Sequence, residues 1–381
     1  MRHQNTVMHD ILKSVPWSRF DRSVVQHGAD RAVRTLSTKS HLIALLHGQL
    51  SGASSLREIV STMASHEARL YHLGAMAPKR STFADANAKR PVAVFADLFR
   101  DLVAQAHPGL RRHVKDAIRL IDGTRISLND LSKGWACYDS RSNGVKATIV
   151  YDPNAVMPVH FAIDPAKEND MVCVKSVPIE AGATYVFDMG YYSFEWWGDL
   201  DAKGCRFVTR LKKNTPTQII DQRCVSEYGP ITRDDYVRLP QRLQHTRRHR
   251  LGEKLVREIH ITIETGKTLR IVTNDLESSA EVITELYKTR WEIELFFRWI
   301  KQTLKVRKFL GTSENAVRIQ IAVALIAFLL LRIAHAAQTS IKSMLEFARL
   351  VRANLMHFRS ITELAKPPEP RHDPRQLGLQ L

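Results

Sequence analysis

The stretch Tyr287–Lys301, YKTRWEIELFFRWIK, governs how the rest of the chain is read. It contains neither Gly nor Pro, so it reads as a helix advancing 100° per residue. With Tyr287 at zero, Arg290 falls at about −60°, Glu294 at about −20° and Lys301 at about −40°. A phenol, a guanidinium, a carboxylate and an ammonium thus share one narrow stripe. Leu286, Ile293, Phe297, Ile300 and Leu304 cluster near about −110° and predict a core-facing side. Glu292 points away from both and reads as a solvated charge. One carboxylate among cations and an aromatic, on a buried helix, suits gripping phosphate and metal together. An exposed face with ordinary ion pairs explains the same stripe, so the flanking sequence has to decide.

Upstream, the texture is that of short strands. AIRLID ends at Asp122 and GTRISL follows; KATIVYD (146–152) and MPVHFAID (157–164) flank a turn-like PNAV, and the three together predict a meander. TYVFD ends at Asp188, GYYSFEWWGDLDAKG reads as a helix and RFVTRLKKN as another strand. Antiparallel strands followed by crossovers describe an α/β domain with a mixed sheet. Adjacent strands would set Asp122 and Asp188 side by side, and the helix bearing Glu294 would add a third carboxylate. Such an oxygen-rich set is what Mg²⁺ or Mn²⁺ prefers. Two such ions, about 3.5–4 Å apart, serve phosphoryl transfer. Each aspartate alone is also an ordinary strand-end turn residue, and Asp164 and Asp170 are rivals should the strands be misplaced.

Composition narrows the partner. The chain has 381 residues, 44% of them hydrophobic, enough for a sizeable core. Its 56 Lys and Arg against 39 Asp and Glu give a net charge of +17, spread along the chain, which favours an extended polyanion. Cys137, Cys173, Cys205 and Cys224 form no CxxC pair, which argues against a zinc site or disulfide framework and fits a reducing cytosol. No signal-peptide run opens the chain, and the apolar segment Ile319–Leu331 reads as a buried core helix, not a membrane span.

The remaining segments supply the frame. Residues 1 to about 112 read as a helical N-terminal domain. Ser55 and Glu58 have capping-box spacing and open a periodic run that closes at Gly74. The short helix STFADANAKR, with Asn87, Lys89 and Arg90, fits either a helix-turn-helix presented to DNA or a plain bundle. A β-rich insertion at about 211–278 carries the basic knot RLQHTRRHRLGEK, whose Arg247 and Arg248 are expected on phosphate. Helices at 311–360 and a disordered tail at 361–381 complete the expected order.

The spacing Tyr287, Arg290, Glu294, Lys301 resembles the Y-R-E-K signature of bacterial cut-and-paste insertion-sequence transposases, insertion-sequence family four. IDGTRI around Asp122 and FDMGYYSFEWWGDLDAKGCRFVTRLKKN around Asp188 resemble that family's two aspartate motifs, over roughly residues 40 to 335. Met189 stands where the family motif has arginine. The resemblance implies an RNase H-like mixed sheet flanked by helices, with catalysis over residues 113–310 interrupted by the insertion. It implies a catalytic triad of Asp122, Asp188 and Glu294 holding two Mg²⁺ or Mn²⁺ ions. Tyr287, Arg290 and Lys301 would contact phosphates, and so would Lys146, Arg210 and Lys212; Trp291 would stack on a displaced base or serve the core. The partners would be double-stranded DNA, as terminal inverted repeats and as target, and a second copy of the chain. The setting would be the bacterial cytoplasm at the nucleoid. A metal-dependent nuclease with the same triad, or a DNA-binding relic without catalysis, are the alternatives.

Overall fold

The computed structural model describes residues 5–110, 117–136, 143–226, 228–241, 249–304 and 309–366. Arg247 and Arg248 lie outside the described residues, as does the tail beyond 366.

Among the described residues, nine strands form one sheet in the order β3-β2-β1-β4-β5-β9-β8-β7-β6. The strands β1 (Ile118–Leu128), β2 (Asn143–Asp152) and β3 (Met157–Pro165) are the expected antiparallel meander. Next to β1, β4 (Thr184–Phe187) runs parallel, and β5 (Arg206–Arg210) runs parallel to β4. An antiparallel trio followed by a parallel pair, in the order 3-2-1-4-5, is the RNase H-like arrangement. The insertion contributes β6 (Gln218–Gln222), β7 (Ile231–Arg238), β8 (Leu255–Thr262) and β9 (Thr268–Thr273). It extends the same sheet, because β9 pairs antiparallel with β5.

One expectation about β1 needs correction. Its strand does not end at Asp122 but runs on through Gly123 to Leu128, paired with β2 throughout. A β-carbon at Gly123 would lie at contact distance, 3.4 Å, from both Asp170 Oδ1 and Tyr191 Oη.

Before the sheet, among the described residues, come the helices α1 (Val7–Leu12), α2 (Trp17–Gln26), α3 (Thr38–Ser51), α4 (Leu56–Ala64), α5 (Glu67–Leu70), α6 (Arg80–Lys89) and α7 (Val92–Leu110). Between strands lie α8 (Lys133–Ala136), α9 (Asp170–Val174) and α10 (Phe194–Ala202). After β9 come α11 (Ala280–Thr289), α12 (Trp291–Thr303), α13 (Glu314–Ala336) and α14 (Met344–Asn354). The Ser55 hydroxyl caps α4 by accepting the Glu58 N–H at 3.2 Å, while the Glu58 carboxylate returns to the Ser54 N–H at 2.7 Å.

The two faces of the sheet carry different cores. Leu120, Val186 and Val208 face a core shared with α3, α7, α12 and α13; Ile121, Phe187 and Phe207 pack with Tyr191, Trp197 and Leu200 around α10. Helix α13 is long and apolar enough to cross a membrane, yet it is buried against α1, α3, α6, α7 and β3. The helices before β1 and those after α12 therefore share one core, so the sequence boundaries near 112 and 311 do not divide the packing.

The reading of α6 as a DNA-presenting helix meets an obstacle. Asn87 is buried and its Oδ1 lies 2.7 Å from the ring of His41, while Asn315 donates to the Asn87 and Arg90 carbonyls at 2.9 and 2.8 Å. Arg90 is equally buried, donating to Asp30 Oδ1 at 2.6 Å, Thr38 Oγ1 at 2.9 Å and the Ala29 and Leu36 carbonyls. Both side chains lock the bundle from within and are buried away from its surface.

Candidate active site

Parallel pairing sets the first two carboxylates together. Ile121 is the register partner of Phe187, so the next residue on each chain, Asp122 and Asp188, leave the paired region on the same side. Asp188 follows the last residue of β4 and caps the short turn Met189–Tyr191, its Oδ1 accepting the Gly190 N–H at 2.8 Å. Asp122 Oδ1 accepts the Gly123 N–H at 2.8 Å.

The third carboxylate comes from α12, which packs on β1. The stretch 287–301 is not one straight helix. It tightens at Arg290, whose N–H reaches the Tyr287 carbonyl at 3.2 Å, and Ile293 N–H reaches that of Arg290 at 3.3 Å. The stripe survives this step because Arg290 keeps helical angles, φ −51° and ψ −30°. Ile293, Phe297, Ile300 and Leu304 are buried as the periodicity requires, and Leu286 packs at the edge. Glu292 is half-buried and its carboxyl is pushed up by that burial, so the expectation of a solvated charge was mistaken.

Around the carboxylates stand cations and phenols. Arg290 Nη1 meets Glu294 Oε1 at 2.6 Å. The guanidinium carbons of Arg210 and Arg290 each lie 5.8 Å from the centroid of the Tyr287 ring. Tyr287 is buried, and its Oη, like Arg290 Nε and Arg210 Nε, has no partner in hydrogen-bond geometry. Lys301 Nζ donates to Thr124 Oγ1 at 2.5 Å, two residues beyond Asp122 on β1. Lys212 is exposed, its ammonium 4.5 Å from the centroid of the Tyr192 ring. Trp291 is 50% exposed, which removes it from the core and leaves its indole face open beside Arg290. Lys146 was expected to offer its charge to DNA, but it is buried, pairing with Asp170 Oδ1 at 2.8 Å and donating to the Glu168 carbonyl.

Electrostatics tie the set together. Burial pushes the Asp122 carboxyl up to about 7; the charges of Asp188 and Glu294 act in the same direction, against the Gly123 N–H and Arg290. Burial also raises the Tyr191 phenol, reinforced by the charges of Asp122, Asp170 and Asp188. The donors are hard oxygens short of positive charge, so their chemistry fits a divalent cation. Among the described residues, however, no three acidic, histidine or cysteine side chains stand close enough to hold one ion as they are, and Glu294 is paired with Arg290. Of the two rival aspartates, Asp164 is on β3, two strands from β1, whereas Asp170 reaches the backbone beside both Asp122 and Asp188.

The sequence matches the transposase DDE domain over residues 114–330. The chain belongs to the DDE transposase family. It is a polynucleotidyl transferase and endonuclease of that kind, and the family works with divalent metal ions. A second match, to a domain of unknown function (DUF4372), covers residues 3–76. The transposase-named protein y4zB of Sinorhizobium fredii is 40% identical over 318 residues, 80% of this chain and 86% of that one. A relative named for insertion sequence element IS5377 of Geobacillus stearothermophilus is 28% identical over 247 residues, 64% of this transposase and 63% of its own length. A solved synaptic complex of piggyBac transposase with hairpin DNA is similar at a TM-score of 0.45 and 11% identity, covering 95% of this chain and 80% of that one.

Proposed function

We propose that this transposase binds the terminal inverted repeats of an insertion sequence as a dimer, with Asp122, Asp188 and Glu294 as its catalytic carboxylates. The observation that carries the reading is the parallel register of β1 and β4, which sets Asp122, within β1, beside Asp188, where β4 ends, and α12, which bears Glu294, packs on β1. These carboxylates would hold two divalent ions, Mg²⁺ or Mn²⁺. When bound, the ions supply activation of the attacking oxygen and stabilisation of the leaving one.

The side chains do the rest. Arg290 holds Glu294 in the absence of nucleic acid, and its unpartnered Nε and the Tyr287 hydroxyl are donors positioned for a phosphate. Arg210 adds a second guanidinium to the same wall. Lys301 steadies β1 through Thr124 next to the first aspartate. Trp291, exposed at the mouth, offers a face on which a displaced base stacks. The proposed sequence begins with hydrolysis of one strand to leave a 3′-hydroxyl. That hydroxyl attacks the opposite strand's phosphodiester, forming a hairpin end and releasing the flanking DNA. Hydrolysis of the hairpin restores the 3′-hydroxyl, which then attacks a target phosphodiester and releases a target 3′-hydroxyl.

The test is cleavage of a labelled duplex carrying the element's own terminal repeat, with Mg²⁺, with Mn²⁺ and with EDTA. Wild type should nick at the repeat boundary only with metal, and Glu294→Gln should lower the rate by at least about a thousandfold, the loss of roughly 4 kcal/mol of transition-state stabilisation. Its folding should hold, since only a partly exposed ion pair, worth about 0.5 kcal/mol, is lost. Equal cleavage by wild type and Glu294→Gln would remove Glu294 from the site; tight binding without cleavage under either metal would leave a DNA-binding relic.

A further inference from the structure

We propose that Asp170 is a fourth acidic residue of this site, an oxygen donor to the same divalent cation as Asp188. The inference rests on the reading of Asp122 and Asp188 as cation-binding residues and extends it to a residue no motif marks.

Three observations carry it. The first is position. A β-carbon on Gly190 would lie 2.9 Å from Asp170 Oδ2 and 2.9 Å from Asp188 Oδ1, so the two carboxylates face each other across one small space. A β-carbon on Gly123 would lie 3.4 Å from Asp170 Oδ1. Gly123 directly follows Asp122 and Gly190 closely follows Asp188; Asp170 crowds the side-chain space at Gly190 and comes to contact distance at Gly123.

The second observation is an unpartnered group. Tyr191 is 1% exposed, and its hydroxyl meets nothing in hydrogen-bond geometry although it lies 3.4 Å from the same point beside Gly123. A buried hydroxyl without a partner is costly, and an occupant held between these groups and carrying its own water would relieve that cost.

The third is the counterion. Lys146 Nζ meets Asp170 Oδ1 at 2.8 Å and also donates to the Glu168 carbonyl. One ammonium thus stands where two carboxylates converge. Carboxylates brought close repel each other, and a cation beside them relieves that repulsion. Lys146 fills that role from β2, and a divalent ion would take it over on Asp170 Oδ2, the oxygen facing Asp188. Mg²⁺ and Mn²⁺ take oxygen donors at about 2.0–2.2 Å, and Asp170 Oδ2 and Asp188 Oδ1 border the same space beside Gly190.

The experiment is Mn²⁺ binding to the full chain without DNA, followed by isothermal titration and by the electron paramagnetic resonance of the free ion. Wild type, Asp170→Asn, Asp170→Glu, Asp188→Asn and Lys146→Met are compared, with melting temperature in EDTA as the control for folding. Asp170→Asn should weaken Mn²⁺ about tenfold or more, and Asp170→Glu should restore part of that. Lys146→Met should tighten Mn²⁺, since it removes the competing ammonium; should Asp170→Asn fail to fold, this second variant decides alone. Unchanged affinity in Asp170→Asn beside a weakened Asp188→Asn would overturn the fourth donor and leave the three-carboxylate site standing. No Mn²⁺ binding by wild type would overturn both.

Discussion

Asp122 is where burial and charge oppose each other most directly, and its protonation gives the site a pH dependence. In the folded chain its carboxyl is pushed up to about 7, from an ordinary value of 3.8, first by burial and then by Asp188 and Glu294. An acid whose pKa is raised on folding costs the folded state stability over the range where the unfolded chain has released its proton and the folded one still holds it. Its contribution to stability is therefore complete below about pH 4 and declines as pH rises through about 7. A divalent ion works in the opposite sense, because it binds the ionised carboxylate and must expel the proton below that point. Mn²⁺ affinity should then rise about tenfold per pH unit up to about 7 and flatten above it, with close to one proton released per ion at pH 6. Titrations in two buffers of different ionisation enthalpy count that proton. Flat affinity between pH 5.5 and 8.5 would mean Asp122 does not ligate the ion.

At the scale of elements, the backbone around each aspartate matters as much as the aspartate. The turn after β4 is tight because Gly190 lets Asp170 and Asp188 approach it. Gly190→Ala should therefore lower the cleavage rate about 10- to 100-fold by shifting Asp188 by a few tenths of an ångström, with a stability loss of about 1–3 kcal/mol from overpacking. Gly134→Ala, on α8 with open space where its β-carbon would go, should change neither. Cleavage kinetics and thermal melts of both proteins check this, and an unimpaired Gly190→Ala would show that the turn has slack. These same elements mark what the sequence could tell. The 3.6-residue period exposed the buried and polar faces of α12, and β-type runs ending near aspartates located β1 and β4. Asp170 appeared only as a rival, because nothing local marks a carboxylate that matters through contact with Gly123 and Gly190, 47 and 20 residues away. Lys146, Asn87 and Arg90 look like surface cations and amides in sequence, and only their distant partners reveal them as buried locks. The strand through Gly123 was misread for the same reason: glycine punctuates a strand locally, but here pairing with β2 carries the strand on.

Across the whole molecule, one excess of charge must serve two kinds of contact. The net charge of +17 predicts steeply salt-dependent DNA binding, with log affinity falling by about 0.9 per phosphate neutralised for each unit of log salt. The sheet sorts the residues that contribute. Arg210 ends β5 and Lys212 follows it, both outside the buried core, and in the proposed reading they neutralise phosphates; Trp291 is exposed on α12 and carries no charge. Replacing Arg210 and Lys212 together by Ala should reduce the salt slope by about 2 and weaken terminal-repeat and unrelated duplexes alike. Trp291→Ala should leave the slope unchanged and cost about 1–3 kcal/mol, mainly on substrates with an unpaired base at the cleaved end. Fluorescence anisotropy at several salt concentrations, with blunt and frayed duplexes, separates the two effects. If the double substitution left the slope intact, the phosphate-binding wall would have to lie elsewhere, and the path of DNA over this sheet would need to be redrawn from the insertion strands β6–β9 instead of from β5.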